Sequence, residues 1–180
     1  MKKRLFVAID ISPKIKQKII VLQNELKNAG LEATWVKPEN MHLTLVFLGD
    51  IDYNQIPEII SSLSKLKDDA FEIDFTGLNG FPNSGRTHTL WVGIKDNLGL
   101  FYLQKKIAEH LRKLKLKIDE KKFIPHITIA RFSRKKSIKE LTLKKELGTF
   151  TAKEFILYES ELLSGGSKHT SIKSFRLKNV

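Results

Sequence analysis

The sequence predicts a mixed α and β fold that contains a duplicated strand-helix-strand lobe. Residues 5–10 (LFVAID) and 90–95 (LWVGIK) are apolar, strand-like segments, and an amphipathic helical pattern follows each of them. A strand with the pattern His-x-Thr-x comes next in both halves, at His42 and at His126. The apolar segments are 85 residues apart (5 to 90) and the motifs 84 apart (42 to 126), so the register is nearly kept. The two motifs are therefore expected to be related by a pseudo-twofold axis.

The helices are predicted from apolar spacing and from end signals. Ser12-Pro13 supplies a capping residue followed by proline at the first helical position, and Gly30 supplies a stop. Between them, apolar residues recur at three- and four-residue steps. The same spacing recurs further along the chain, so helices are expected near residues 13–29, 55–66, 98–116 and 138–147.

The strands are predicted from β-branched and aromatic residues and from alternation. Phe71, Ile73 and Phe75 alternate with polar residues, which is typical of a strand with one solvated face. Turns are expected at 49–50, 79–86 and 165–166, and a basic loop at 134–136. The expected strands are 3–11, 35–36, 41–48, 71–78, 89–94, 123–132, 150–158 and 170–177.

The composition fits a globular chain with an anionic partner. Of the 180 residues 41% are hydrophobic, which is enough for a core, and one domain of two intertwined repeat lobes accounts for residues 1–180. The net charge of +12 lies in the second half, because residues 1–90 hold 11 basic and 11 acidic side chains whereas residues 91–180 hold 21 and 9. This asymmetry favours nucleic acid, although a Lys-rich surface selected for solubility explains it equally well.

The chain contains no cysteine, so neither disulfides nor thiolate metal sites are expected. The apolar segment near the start of the sequence is too short for a signal sequence or a membrane span. We expect a cytoplasmic monomer with no membrane partner.

The paired motifs are the strongest functional signal. In an extended strand, His42 and Thr44 point to one face while Leu43 and Leu45 point to the other, and the second motif repeats this arrangement. About 0.3 His-x-Thr matches are expected by chance from this composition, so one match is weak evidence. Taken singly, each motif is better explained as ordinary strand residues. Two matches at the repeat spacing favour function.

Two histidines and two threonines around one bound group suit phosphodiester cleavage. One neutral imidazole can accept a proton from water while a charged one donates a proton to the leaving oxygen. Threonine hydroxyls can donate hydrogen bonds to phosphoryl oxygens. Two histidines without a nearby carboxylate or cysteine make a poor metal site, so neither a metal nor another cofactor is expected.

The motif segments resemble the two-histidine phosphoesterase superfamily. Trp35-Val36 with residues 41–49 (MHLTLVFLG) and residues 125–131 (PHITIAR) are similar to RNA 2',3'-cyclic phosphodiesterases, historically called 2'-5' RNA ligases. The resemblance covers essentially the whole chain. It implies a bilobal α+β fold in which antiparallel sheets line a central cleft and helices lie outside.

The resemblance also implies hydrolysis of a terminal 2',3'-cyclic phosphate on RNA to a 2'-phosphomonoester. His42 would be the proton donor to the departing oxygen and His126 the proton acceptor from water, while Thr44 and Thr128 hold the phosphate. For Arg131 it implies a substrate contact. Strict alternation puts Arg131 on the opposite face from the motif, so it reaches the cleft only if the strand twists or bulges.

Aromatic residues are candidates to stack a terminal base, although each is more often core. Trp35 and Phe132 are expected to bind substrate in this way, and Phe81 is a third candidate. The other three histidines, namely His88, His110 and His169, are interpreted as non-catalytic, and His169 stands where similar proteins more often have an aromatic.

Three alternatives remain open at this point. The same residues could carry out reversible 2'-5' RNA ligation, or hydrolyse a small cyclic nucleotide or ADP-ribose cyclic phosphate. The chain could also be a non-catalytic RNA-binding module, although intact motifs speak against this. A nucleotide such as ATP or GTP is a further candidate ligand of the cleft.

Overall fold

Nine strands and three α-helices form the fold in the described part of the chain. The computed structural model describes residues 1–81, 87–118, 121–136, 147–164 and 166–178. The strands are β1 (Lys2–Asp10), β2 (Thr34–Trp35), β3 (His42–Asp52), β4 (Phe71–Phe81), β5 (Thr87–Ile94), β6 (His126–Lys136), β7 (Thr149–Ala152), β8 (Glu154–Leu163) and β9 (Gly166–Arg176). The helices are α1 (Pro13–Asn28), α2 (Ile56–Leu63) and α3 (Leu98–Lys113), with short 3₁₀ helices at Pro38–Asn40 and Tyr53–Gln55.

The strands form two sheets, and every pair of neighbouring strands is antiparallel. The first sheet has the order β3-β1-β8-β9 and the second has the order β2-β6-β5-β4-β7. Strand β2, which lies between α1 and β3 in sequence, pairs with β6 of the second sheet, whereas β8 and β9 return to the first. The expected bilobal α+β fold with antiparallel sheets is confirmed.

The two halves repeat the same strand pairing around the motifs. Asp10 of β1 lies opposite His42, and Gly93 of β5 lies opposite His126. The equivalent positions of β1 and β5 are therefore 83 residues apart (10 to 93), so the offset of 85 inferred from the sequence is wrong. The error of two residues is invisible in sequence because a shift of two keeps every side chain on the same face.

A β-bulge occurs at the same place in both motif strands. Between β1 and β3 the pairing moves from Thr44 directly to Val46, and between β5 and β6 it moves from Thr128 directly to Ala130. Each motif strand thus contains one extra residue three positions after its histidine, which resets the alternation. Two consecutive buried residues follow each threonine, Leu45-Val46 in β3 and Ile129-Ala130 in β6.

The helix ends largely follow the predicted signals. The Ser12 side chain accepts a hydrogen bond from the backbone N–H of Ile15 (3.4 Å), Pro13 begins α1, and Gly30 takes a φ of +82° just beyond its end. In α3, Asn97 accepts from the backbone N–H of Leu100 (2.9 Å). The helix ends at Lys113 rather than at residue 116, and no helix in the described residues is long and apolar enough to span a membrane.

Several predicted boundaries are wrong. Strand β3 continues through the expected turn at 49–50, where Gly49 has a φ of +73° beside a second bulge. Strand β6 begins at His126 and runs through the expected basic loop at 134–136, and the segment 150–158 is divided into β7 and β8 at Lys153. Strand β4 extends to Phe81, whereas residues 82–86, Gly165 and nearly all of the helix expected at 138–147 lie outside the described residues.

The apolar face of each motif strand forms part of one core. Leu43 and Ile127 are fully buried, and they belong to the same hydrophobic cluster as the inner residues of α1 and α3. The inner face of α1 is formed by Ile15, Ile19, Leu22 and Leu26, and that of α3 by Leu100, Leu103, Ile107 and Leu111. The opposite faces of β3 and β6 are thereby left to line the cleft.

A buried amide connects α1 to the second motif strand. Gln23 is only 4% exposed, and its Nε2 donates to the backbone carbonyl oxygens of Val36 and Ile129, both at 2.9 Å. The Ile129 carbonyl also accepts from the backbone N–H of Val36 at 3.0 Å. One side chain therefore ties the helix of the first repeat to the bulge of the second.

We expect Gln23→Met to lower the free energy of unfolding by about 2 kcal/mol, because it removes the Gln23 donor from the Val36 carbonyl and one of two donors from the buried Ile129 carbonyl. Urea unfolding at neutral pH measures the change. Gln17→Met on the exposed face of the same helix is the matched control and should change stability by less than about 0.5 kcal/mol. Equal effects of the two substitutions would show that the hydrogen bonds of Gln23 do not stabilise the fold.

Candidate active site

Both motifs line a single cleft of about 990 Å³ between the two sheets. His42 and Thr44 face it from β3, and His126 and Thr128 face it from β6. All four side chains are half-buried, while the residues between them are core. The structure therefore brings together the four residues that the sequence singled out. Further lining residues lie in or directly before the 3₁₀ helix Pro38–Asn40 and in the β8–β9 hairpin, and include Lys37, Glu39, Asn40, Ser160, Leu162, Leu163 and Lys168.

His42 lies in a cluster of rings. The ring of Phe6 is 4.9 Å from it (centroid to centroid) and that of His169 is 5.0 Å away, the latter edge-on at 73°. Burial above all, together with repulsion from His169 and Lys16, lowers the pKa of His42 to about 4, although a backbone hydrogen bond with Asn40 opposes the shift. The imidazole is therefore neutral at pH 7 in the free protein.

His126 has a defined tautomer. Its Nδ1 lies 2.7 Å from the backbone carbonyl oxygen of Ile124, and because a carbonyl only accepts, Nδ1 must carry the hydrogen. In the neutral ring this leaves Nε2 with a lone pair that can accept a proton. Burial lowers the pKa of His126, the Ile124 carbonyl opposes this, and the positive charge of Arg131 lowers it again. The ring packs edge-on against Phe81 at 5.0 Å.

The two histidines are oriented in the same way. Each is hydrogen-bonded to the backbone of the residue two positions earlier, Asn40 in the first motif and Ile124 in the second. This local contact occurs in both repeats and helps to orient each ring. Among the described residues, no carboxylate forms an ion pair with either ring.

The predicted substrate-binding residues are only partly brought together. Arg131 is exposed and lines the cleft, because the bulge at Ile129 resets the alternation as anticipated. Trp35 lines the cleft half-buried, with the Lys27 ammonium 5.4 Å from its ring centroid, and Phe81 lines it too. Phe132 does not. It is 6% exposed and belongs to the core, so the expectation that it stacks a base is wrong.

Three ring-bearing residues of the cleft were missed by sequence reasoning. Phe6 packs on His42, and Phe47 is 64% exposed within the cleft, although both are ordinary strand residues in sequence. His169, interpreted from the sequence as non-catalytic, also lines the cleft against His42. His169 is 127 positions from His42, and only strand pairing across β1 and β8 brings them together.

The other two histidines lie apart from the site. His88 is exposed on β5, and the Nδ1 of His110 lies 3.1 Å from the backbone carbonyl of Ser62 in the contact between α2 and α3. Neither lines the cleft. Within the described ranges, no three residues among His, Asp and Glu are grouped so as to hold a metal ion.

The fold and the paired motifs define a class of phosphoesterase. A family model described as "LigT like Phosphoesterase" matches residues 9–91 and again residues 92–169, and each match contains one motif. The chain belongs to this family. Its duplicated match agrees with the repeated strand pairing described above.

Several curated relatives carry the name RNA 2',3'-cyclic phosphodiesterase. The protein from Archaeoglobus fulgidus is 33% identical over 177 residues, covering 96% of this chain and 99% of the relative. The protein from Methanocaldococcus jannaschii is 34% identical over 178 residues, with 96% and 99% covered. Among solved structures, E. coli LigT in its apo form has a TM-score of 0.84 at 23% identity, and TT0787 of Thermus thermophilus has 0.86 at 24%, each covering 98% of both chains.

The depressed pKa of His42 predicts a pH-dependent loss of stability. Because the folded state favours the neutral ring, this stability is fully present above the unfolded pKa of 6.5 and is lost as the pH falls from 6.5 towards about 4. The free energy of unfolding of the wild type should therefore fall between pH 7 and pH 4.5. In His42→Gln the fall should be smaller, because glutamine cannot take up the proton.

Urea unfolding of both proteins across this pH range measures the difference. Carboxylates titrate in both, so only the gap between the two curves reports His42. Parallel curves would show that His42 titrates equally in the folded and unfolded states.

Proposed function

We propose that this protein hydrolyses the 2',3'-cyclic phosphate at the end of an RNA chain to a 2'-phosphomonoester. The observation that supports this most is the symmetric placement of two His-x-Thr pairs around one cleft. The curated relatives bear the corresponding name, and solved structures of E. coli LigT are described with 3'-AMP, ATP and NADP⁺. A nucleotide is therefore a second proposed ligand of the cleft.

In the proposed reaction, His126 is the base and His42 the acid. The Nε2 of His126 takes a proton from water, whose oxygen forms a bond to phosphorus while the bond from phosphorus to the 3' oxygen breaks. His42 gives a proton to that oxygen, which leaves as the 3' hydroxyl, and the phosphate remains on the 2' oxygen. The tautomer set by Ile124 meets the requirement for the base, since it leaves Nε2 of His126 free of hydrogen, while the choice of His126 over His42 follows the family resemblance.

Thr44 and Thr128 are proposed to bind the phosphoryl group. Each is two residues from its histidine on the same face of the strand, so a group held between the rings lies within reach of both hydroxyls. Neutral donors stabilise charge that develops on phosphoryl oxygens. Arg131 would bind a phosphate of the chain, and Trp35 a base.

A free site with neutral histidines needs a proton before it can act. Binding of the anionic phosphate favours protonation of an imidazole, because a negative charge beside the ring raises its pKa. Substrate binding and protonation of the acid are therefore coupled. In the free protein at pH 7, burial favours the uncharged form of both rings.

We further propose that residues 1–180 act as one domain, as a cytoplasmic monomer. The crossing of β2 into the second sheet and the return of β8 and β9 to the first support a single unit. A single chain supplies both histidines of the cleft, which supports a monomer. The lack of cysteine fits a reducing compartment.

The first test is hydrolysis of a short RNA that ends in a 2',3'-cyclic phosphate, in excess EDTA. We expect a 2'-phosphate product from the wild type, and a loss of roughly 10² to 10⁴ in rate for either His42→Ala or His126→Ala. The double variant should lose far less than the product of the two, because the pair acts as a unit. Chromatography against 2'- and 3'-phosphate standards identifies the product.

Other outcomes would select another function. Salt-sensitive RNA binding without turnover would favour a binding module, and turnover abolished by EDTA would require a metal. Joining of RNA ends through a 2'-5' bond would favour ligation. Full activity of the double histidine variant would overturn the acid and base assignment.

Arg131→Gln tests the substrate contact. Loss of a phosphate ligand should raise KM about tenfold while kcat changes less than about threefold, and should weaken the dependence of KM on salt. Arg134→Gln, at an exposed position of the same strand away from the cleft, is the matched control and should leave KM within about twofold. Equal changes in KM for the two variants would show that Arg131 acts only through the general positive charge of the surface.

A further inference from the structure

A third histidine contacts the proposed acid. The His169 ring on β9 lies 5.0 Å from the ring of His42 and 5.0 Å from that of Phe6, and is nearly perpendicular to both, at 73° and 70°. His42 and Phe6 are themselves 4.9 Å apart. The three rings thus form a closed triangle, in which one side of His42 is covered by Phe6 and another by His169.

The backbone around the two histidines is joined by one residue. The Asn40 side-chain amide donates to the carbonyl oxygen of Ser167 at 2.7 Å, while the Asn40 backbone is hydrogen-bonded to His42. Asn40 therefore ties the segment before His42 to the strand that carries His169. The spacing between the two rings is fixed by this tie as well as by the packing of Phe6.

His169 is poorly suited to hold a proton of its own. Its Nδ1 is buried with no hydrogen-bond partner in the described part of the structure. An unpartnered acceptor is tolerated in the neutral ring, but protonation of both nitrogens would bury an N–H without an acceptor, at a substantial cost. At neutral pH His169 is therefore uncharged, since burial also lowers its pKa, and its charge can repel His42 only at acid pH.

The charged groups around the pair do not change this conclusion. Asp10 of β1 is paired with Lys16 of α1 at 2.7 Å, and Glu159 of β8 with Lys3 at 2.6 Å. Neither histidine forms an ion pair with a carboxylate among the described residues. The titratable and charged groups on the elements around the pair are Arg4 and Asp10 on β1, Lys16 on α1, Glu39 on the 3₁₀ helix, His126 on β6, Tyr158, Glu159 and Glu161 on β8, and Lys168 on β9.

We propose that His169 is a positioning residue for His42, which holds the imidazole against Phe6 and, when it is itself charged at acid pH, opposes a second charge on the His42 ring 5.0 Å away. This rests on the acid role proposed above for His42. An acid that holds its proton weakly transfers it readily to a departing alkoxide. Once His169 is charged at acid pH, its repulsion lowers the pKa of His42, which acts in the same direction.

His169→Phe and His169→Ala separate the two parts of this role. Phenylalanine keeps a ring in the triangle but cannot be charged, whereas alanine removes the ring as well. His88→Phe is the matched control, since His88 is exposed and outside the cleft. Two readouts are used for each variant: NMR titration of the histidine Cε1–H signals in the free protein, and kcat and KM for RNA ending in a cyclic phosphate between pH 4.5 and 8. His42→Gln assigns the His42 signal.

In His169→Phe we expect the His42 titration to move to higher pH, and the acid limb of the kcat/KM profile to move with it, while kcat at the optimum stays within about threefold. In His169→Ala we expect kcat to fall about tenfold with KM within threefold, because His42 is no longer held. The His88 control should change neither readout. An unchanged His42 titration in His169→Phe would overturn the proposal, as would a uniform loss of activity without a shift in the profile.

The two proposals can fail separately. The NMR titration needs no substrate, so it tests the contact between His169 and His42 even if the wild type does not hydrolyse RNA cyclic phosphate. If His169→Ala does not fold, His169→Phe still decides, because it keeps the packing. If the His42 titration shifts in His169→Phe but the wild type does not hydrolyse the RNA, the interaction between His169 and His42 stands and only the proposed reaction is overturned.

Discussion

The structure depends on the β-bulge that occurs three residues after each motif histidine. Before the bulge, His and Thr face the cleft while Leu43 or Ile127 enters the core, and after it the alternation is reset so that a new residue faces the cleft. A regular strand would turn that residue away from the motif. The bulge thus lets one strand present three cleft residues within six positions. Gln23 holds the bulge of the second motif strand from the helix side.

The features that could be predicted from sequence are those that local rules govern. The cap at Ser12 and the paired motifs depend on residues within a few positions of each other, and both were found. From the sequence, a bulge was inferred only as a condition under which Arg131 would reach the cleft. Its position could not be predicted, because nothing in residues 127–131 (ITIAR) marks which residue is the extra one in the strand. Phe132 was assigned to the wrong side of its strand for the same reason.

The contacts of the site that were missed are non-local. His169 meets His42 only because β8 and β9 return to the first sheet and add two strands beside β1. Phe6 could be placed in a strand, but its contact with the motif depends on the register between β1 and β3. Sequence periodicity assigns a face to each residue, but it does not say which faces meet.

The bulge also breaks the symmetry of the site. The residue that it returns to the cleft is Phe47 in the first motif strand and Arg131 in the second, five positions after His42 and His126. A strictly twofold site would treat the two ester oxygens of a cyclic phosphate as equivalent and would release a mixture of isomers. An exposed aromatic on one wall and a cation on the other make the two orientations of a nucleotide unequal in energy. Regioselectivity in such a site thus arises from the residues that differ between the repeats rather than from those that they share.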